Sequence, residues 1–472
     1  MKLRNKIHTY IENHKDEITE ILKEMIKIPS VKGEASKESP NGLNAAKMLD
    51  FCHKLYRDNG FETELNHKEG YLVSYFGEGK KTLGMFSHAD VVAPGEAWVL
   101  TNPFEPKEID GYLIGRGAKD DKSAVLISLY CAKMLKELSI PFNSRLIMFT
   151  GNGEETGMED LKNYLKSHEA PDFTIINDNE FPLYRGNKGK IVFKATNNSP
   201  LKGIKHFEGG EHGTNVAKAT AVLDYSDEIF NYYKSKENDN FKISLENGDI
   251  ILKAFGISKH AAFPEGSVNA AAIIAENLKN CELLPKETRG VCKFISGVCG
   301  DYYGKYLGID NSDPEFGKLT IVNDEIEANE SCITLSFNLR HGTSINQAET
   351  IEKLKSEFLK EDFEVKISDS ADAHLTEKNH PMLLAIKETY EEYTGEKVKE
   401  MGVNPSGTYG RLLPYAAEIG LSLNINDKKP PFSLPVGHGE IHQPDEYLDI
   451  EGFFKAMELT MLMLLKCDNT DI

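Results

Sequence analysis

The sequence predicts an α/β protein: a catalytic domain on a mixed, mostly parallel sheet, interrupted by a large inserted α+β lid segment. Three observations carry this expectation. Helical stretches alternate with short apolar runs over the first part of the chain, the pattern of helices layered on a largely parallel sheet. From 186 to 377 the segments turn strand-like and irregular, with a glycine-rich interruption and fewer helices. Near residue 378 the long helical pattern resumes and runs to the C-terminus. Residues 1–185 and 378–472 are therefore expected to form one domain, with 186–377 inserted.

The elements follow in order. Residues 5–27 read as a charged amphipathic helix rather than a signal peptide, and 42–59 as a second helix. YLVSYFG and TLGMFSHADVV read as strands, KSAVLISLYCAKMLKELSI as a buried helix and RLIMFTG as a buried strand. DLKNYLKSHE is a helix, and FTIINDNE is an apolar run ending in acids. Within the insertion, KIVFKATNN, DIILKAFGI and CITLSFNLR are strands, while NAAAIIAENL and NQAETIEKLKSEFLK are helices. HPMLLAIKETYEEYTG and EYLDIEGFFKAMELTMLMLLKC close the chain as long helices.

Composition excludes several function classes. The chain has 472 residues, 40% hydrophobic and 27% charged, ordinary for a globular protein of two or three domains. Its formal net charge of -19 argues against a nucleic-acid partner and against docking on anionic membranes. No stretch approaches the roughly 18 consecutive apolar residues of a membrane span. Seven cysteines without a CxxC pair suggest reduced thiols and a cytoplasmic protein.

The chemistry gathers where apolar runs end. In α/β sheets, sites cluster at the carboxyl ends of strands. His88 and Asp90 in SHADVV, Glu154 and Glu155 in TGNGEETG, and Asp178 and Glu180 in IINDNE all fall there. Asp90, two residues after His88, can accept one ring N–H and fix the tautomer for metal binding; alone, His-x-Asp is a weak signal. GRGAKDDKSA places Asp120 and Asp121 before a helix, where an Asp pair is more often a cap. Its DKS ending mimics a phosphate-binding loop, but Asp121 stands in the glycine position and would face phosphate with a carboxylate. IHQPDE adds His442 near the C-terminus, with His438 as a competitor. Imidazoles and carboxylates together suit two divalent ions: zinc first, with manganese or cobalt as alternatives, rather than calcium or magnesium.

SHADVV, GRGAKDDKS, GNGEETG, NDNEFP, SGTYGR and IHQPDE, in this order, resemble the dinuclear metallo-aminoacylase and dipeptidase family. Within it they resemble the bacterial PepV-type, carnosinase-like dipeptidases. The resemblance implies His88 as first metal ligand, Asp90 as its orienting carboxylate and Asp120 as the bridge between two metals. It implies Glu154 as general base, and Glu155, Asp178 and His442 as the remaining ligands. It also implies a cis peptide between Asp120 and Asp121. In the insertion it implies that His260 stabilises the oxyanion, that Arg340 pairs with the substrate carboxylate, and that Asn215 contacts substrate. Gly407 and Thr408 would lie along the substrate backbone. The sequence departs from the family pattern at Ser123, Ser406 and Asn152, none a proposed ligand. The long insertion resembles lids that supply their own histidine, so a monomer is favoured over a dimer. The implied activity is hydrolysis of dipeptides, with N-acyl-amino-acid deacylase or carboxypeptidase as the alternative.

Overall fold

The computed structural model describes residues 2–199, 201–210, 213–329, 331–424 and 429–471. The chain divides into two compact units: Met1–Gly186 with Leu375–Asn404 and Thr408–Ile472, and Asn187–His374 with Pro405–Gly407.

The first unit is built on a nine-stranded mixed sheet. Its centre runs Tyr71–Phe76, Arg145–Gly151, Thr82–His88, Phe173–Asn179 and Ala416–Gly420. The three pairings among the last four of these strands are parallel. Toward the edges, Tyr71–Phe76 pairs antiparallel with Arg145–Gly151 and with Glu62–Asn66. The parallel strands are covered on both faces, which is why they read as unbroken apolar runs rather than alternating ones: every residue of Arg145–Gly151 after Arg145 is buried. The helix Lys122–Glu137 is buried from Lys122 through Leu135, between strand Thr82–His88 and the helices Lys2–Ile26 and Ile450–Asp468. These helices share one apolar core with the sheet.

Two local expectations change. Strand 82–88 ends at His88, so Asp90 reaches the site from the following loop rather than from strand alternation. The C-terminal helix begins at Ile450, not at Glu446. Tyr447–Asp449 instead pairs with Tyr112–Ile114 as a short strand, and Asp449 caps the helix by accepting the Glu451 N–H at 3.2 Å.

The second unit is an eight-stranded antiparallel sheet in the order Phe241–Glu246, Asp249–Phe255, Lys218–Asp224, Ile204–Gly210, Thr320–Ala328, Ile333–His341, Gly189–Asn197, Glu364–Ala371. Helices Ala270–Lys279, Lys286–Gly300 and Gln347–Leu359 pack on it around a second apolar core. Helix 286–300 is not among the elements the sequence predicts. In the glycine-rich EGGEHGTN, Glu211 and His212 lie outside the described residues. Among the described residues, no helix is long and apolar enough to cross a membrane. All seven thiols are unpaired, and all but Cys332 are buried.

Candidate metal centre

Register places the site. His88 pairs with Gly151 across the parallel strands, and Phe86 with Ile176, so three strands end at one edge of the sheet. From that edge emerge His88, then the Glu154–Thr156 turn, then Asp178. Asp120 arrives on the loop before helix 122–137, and His442 on the loop before strand 447–449.

Asp90 organises the first two. Its main-chain and carboxylate oxygens lie 3.1 and 3.3 Å from His88 Nδ1. Both neighbours are acceptors, so Nδ1 donates to them, which leaves Nε2, 3.2 Å from Asp120 Oδ1, as the ring atom that would face an ion. The same carboxylate accepts the backbone N–H of Glu154 at 3.3 Å and of Glu155 at 3.2 Å. Asp121 occupies the N-cap position of helix 122–137 but makes no side-chain cap; its Oδ2 accepts the His88 N–H at 3.1 Å. The Asp120–Asp121 peptide is cis.

Asp120 stands between the two imidazoles. Its Oδ1 lies 3.2 Å from His88 Nε2, and its Oδ2 lies 3.0 Å from His442 Nε2. Asp178 Oδ2 is 3.9 Å from His88 Nε2, and Glu155 Oε1 is 3.1 Å from His442 Nε2. Ligand atoms of His88, Asp120 and Glu155 lie within 4.8 Å of one another, as do those of His88, Glu154 and Asp178. Distance alone therefore leaves Glu154 among the possible donors. What sets it apart is its Oε1, which is buried without a hydrogen-bond partner.

The electrostatics are those of a cation site. Burial, then the charges of neighbouring carboxylates, drives Glu154 and Asp178 well above the usual carboxylate range. Burial opposes charging His442, but Asp120 and Glu155 push it up to about 11. Burial would also raise Asp120, yet His442 and His88 hold it well below its ordinary value. Without an added positive charge, buried carboxylates crowd around two imidazole Nε2 atoms, a repulsion that divalent ions bound there relieve. Mixed nitrogen and oxygen donors fit such ions.

The sequence profile of Peptidase family M20/M25/M40 matches residues 84–466, which contain this whole constellation. The chain belongs to that family. A Bacillus subtilis (strain 168) protein named "Putative dipeptidase YtjP" is 27% identical over 463 residues, covering 94% of this chain and 96% of that one. Human carnosine dipeptidase 1 superposes with a TM-score of 0.60 at 13% identity, covering 98% of this chain and 99% of that one. A Bacillus subtilis M20 protein described as a dinuclear metal-binding peptidase gives a TM-score of 0.52 at 10% identity, covering 96% and 98%. This M20 chain is a peptidase, a hydrolase acting on peptide bonds, and its donor set fits metal-dependent hydrolysis.

The loops of this M20 peptidase are held by residues that no sequence motif singles out. Glu446, fully buried, accepts the N–H groups of Gly117, Lys119 and Asp120 on Oε1 at 3.1, 2.9 and 3.1 Å. Its Oε2 accepts from the buried Arg116 at 2.5 Å. It stands four residues after His442, so one carboxylate ties the His442 loop to the backbone of Asp120. The available signal is the acid pair ending IHQPDE, which in the sequence serves only as context for His442. His438 does not join the cluster; its Nδ1 binds Asp445 Oδ2 at 2.6 Å.

The remaining predicted residues are placed as follows. Thr408 is buried and caps the Tyr409–Leu412 turn by accepting the Gly410 N–H. In the second unit, Asn215 and His260 are brought together: Thr214 bridges His260, and the Asn215 N–H donates to the Lys259 carbonyl. Asn215 is buried, its amide donating to the Ile257 carbonyl and accepting from Asn269. His260 is exposed, and its Nδ1 accepts the Ala262 N–H at 3.2 Å. Arg340 pairs with Thr320, whose hydroxyl reaches the Ala261 carbonyl beside His260. The Arg340 Nε donates to Asn338. Gly407 belongs to the short Pro405–Gly407 segment of the second unit.

Proposed function

We propose that the chain is a dipeptidase working with two divalent ions, zinc first and manganese or cobalt as alternatives. The observation that carries this is Asp120, whose two oxygens each face a different imidazole Nε2. In this reading His88, Asp120 and Asp178 hold one ion, and Asp120, Glu155 and His442 hold the other. When bound, the ions polarise the scissile carbonyl and acidify a water. Asp90 keeps His88 in its Nε2-donor tautomer and fixes the amides of the glutamate turn. Glu154, whose Oε1 has no hydrogen-bond partner, takes the proton from the attacking water and delivers it to the leaving amine. His260 donates to the developing oxyanion, and Arg340 pairs with the free carboxylate of the substrate. Asn215, Gly407 and Thr408 line the substrate backbone. Segment 186–377 acts as the lid, which favours substrates of two residues and a monomeric enzyme. The unpaired thiols suit a cytoplasmic location.

The test is a dipeptide panel assayed after chelation and re-addition of single metals. The expected result is metal-restored dipeptide cleavage. In Glu154→Gln, kcat should fall by roughly 10²–10⁴-fold with metal content unchanged. Metal loss in that variant would show that Glu154 is a ligand. Release of acids from N-acyl amino acids without dipeptide cleavage would replace this proposal with a deacylase.

A further inference from the structure

Glu154 sits on a turn whose position is set from an unexpected direction. Gly153, the residue before it, donates its N–H to Asp160 Oδ2 at 2.7 Å. The same oxygen accepts the Tyr409 hydroxyl at 2.6 Å, while Asp160 Oδ1 accepts the Leu161 N–H at 2.8 Å. Tyr409 is fully buried. Its ring stands edge-on to Phe149 at 5.4 Å and to His88 at 6.4 Å, so it also touches the first metal-ligand candidate. The backbone is pressed onto this pair: a Cβ on Gly151 would lie 1.9 Å from the Tyr409 hydroxyl and 2.2 Å from Asp160 Oδ2. Because Glu154 Oε1 has no hydrogen-bond partner of its own, the aim of that carboxylate depends on how its turn is held.

We infer that Tyr409 is a positioning residue for Glu154, acting through Asp160 and the Gly153 amide. The inference rests on the proposal that Glu154 is the general base. Tyr409 directly follows Thr408, which lines the substrate backbone in that proposal, so one short segment both meets substrate and sets the base. The hydroxyl anchors rather than reacts: it points at Asp160, not at the cluster of ligands. Removing it leaves the ring packing intact and releases one of three donors from Asp160. The turn is then free to drift, and general-base catalysis is steep in such drift: a misplacement of about 1 Å costs up to about 100-fold.

The experiment uses the metal-loaded enzyme and Tyr409→Phe, alone and combined with Glu154→Gln. Alone, Tyr409→Phe should lower kcat about 10–100-fold, leave KM within about twofold and leave the metal content unchanged. In the Glu154→Gln background it should change the residual rate by less than about twofold, because the residue it positions is already disabled. Hydrogen exchange should accelerate in the peptide spanning 150–158 and stay unchanged in helix 2–26. Asp160→Asn leaves one acceptor oxygen for three donors, so the same pattern is expected and serves if Tyr409→Phe does not fold. An equal fold-loss in both backgrounds, or an unchanged kcat, overturns the inference. Full activity of Glu154→Gln instead removes the base assignment, a result distinct from either.

Discussion

Glu446→Gln is the sharpest perturbation of the loops that carry the candidate metal ligands. The substitution keeps size and one acceptor oxygen, so the N–H groups of Gly117, Lys119 and Asp120 retain a neutral partner. What it removes is the negative charge opposite Arg116, a guanidinium only 1% exposed. Breaking a buried ion pair from one side leaves an uncompensated charge and costs about 3–5 kcal/mol. At roughly 2 °C per kcal/mol for a large folding unit, the melting temperature should fall by about 6–10 °C. The measurement is calorimetry on chelator-treated protein, which keeps metal release out of the comparison. Adding Arg116→Met removes the stranded cation, so the double variant should recover part of the loss rather than add to it. Reloading metal gives a second readout. Because the carboxylate fixes the Asp120 amide relative to the His442 loop, metal affinity should weaken about 10–100-fold in a titration. A single variant melting within about 2 °C of wild type, or a strictly additive double variant, refutes the brace.

Three further outcomes follow from the same structure. Gly151→Ala has no room for its methyl against Tyr409 and Asp160; overpacking at a strand end should cost about 1–3 kcal/mol in a denaturant melt and lower kcat as well. Stripping the metal should destabilise the enzyme most at alkaline pH. His442, raised to about 11, contributes stability that is fully present below about pH 6.5 and is lost as pH rises towards 11. The gap in melting temperature between loaded and stripped protein should therefore widen from pH 7 to 9, and a constant gap counts against the site. His380 acts with the opposite sign. Its Nδ1 caps helix Pro381–Thr394 by accepting the Met382 N–H, and burial lowers its pKa. Its contribution is full above about pH 6.5 and is lost as pH falls through the lowered value. His380→Asn keeps a capping acceptor and should flatten the melting curve below pH 6.5.

Much of the first unit was legible because its central strands are buried on both faces. Runs such as RLIMFT and FTII then have no polar face to obscure them, and the acids that follow stand out. The second unit hid more. Helix 286–300 carries Gly290 and Gly297, which depress helix propensity. Its positions Thr288, Cys292, Ile295 and Cys299 nevertheless keep helical spacing and are all buried. At Gly297 the ring of Tyr306 packs against the helix backbone, with carbons that would lie 2.2–2.7 Å from a Cβ, so a larger residue there would have to displace that ring. Tertiary packing, invisible in a local window, decided that helix.

The site shows the same division. Residues that would hold an ion were readable as motifs, since all but the loop residue His442 follow an apolar strand or precede a helix. Of the residues that aim them, Asp90 was readable two places after His88, but Glu446, Asp160 and Tyr409 were not, since they act through backbone N–H groups or through one another, mostly far apart in sequence. Adjacent Glu154 and Glu155 illustrate why this matters. Both amides are fixed by one carboxylate, Asp90, so the turn presents two side chains from a single anchored backbone. Glu155 points to His442, and Glu154 keeps an unpartnered oxygen. Two identical residues thus acquire different surroundings from position alone, and that position depends on the Asp90 and Asp160 contacts rather than on the glutamates themselves.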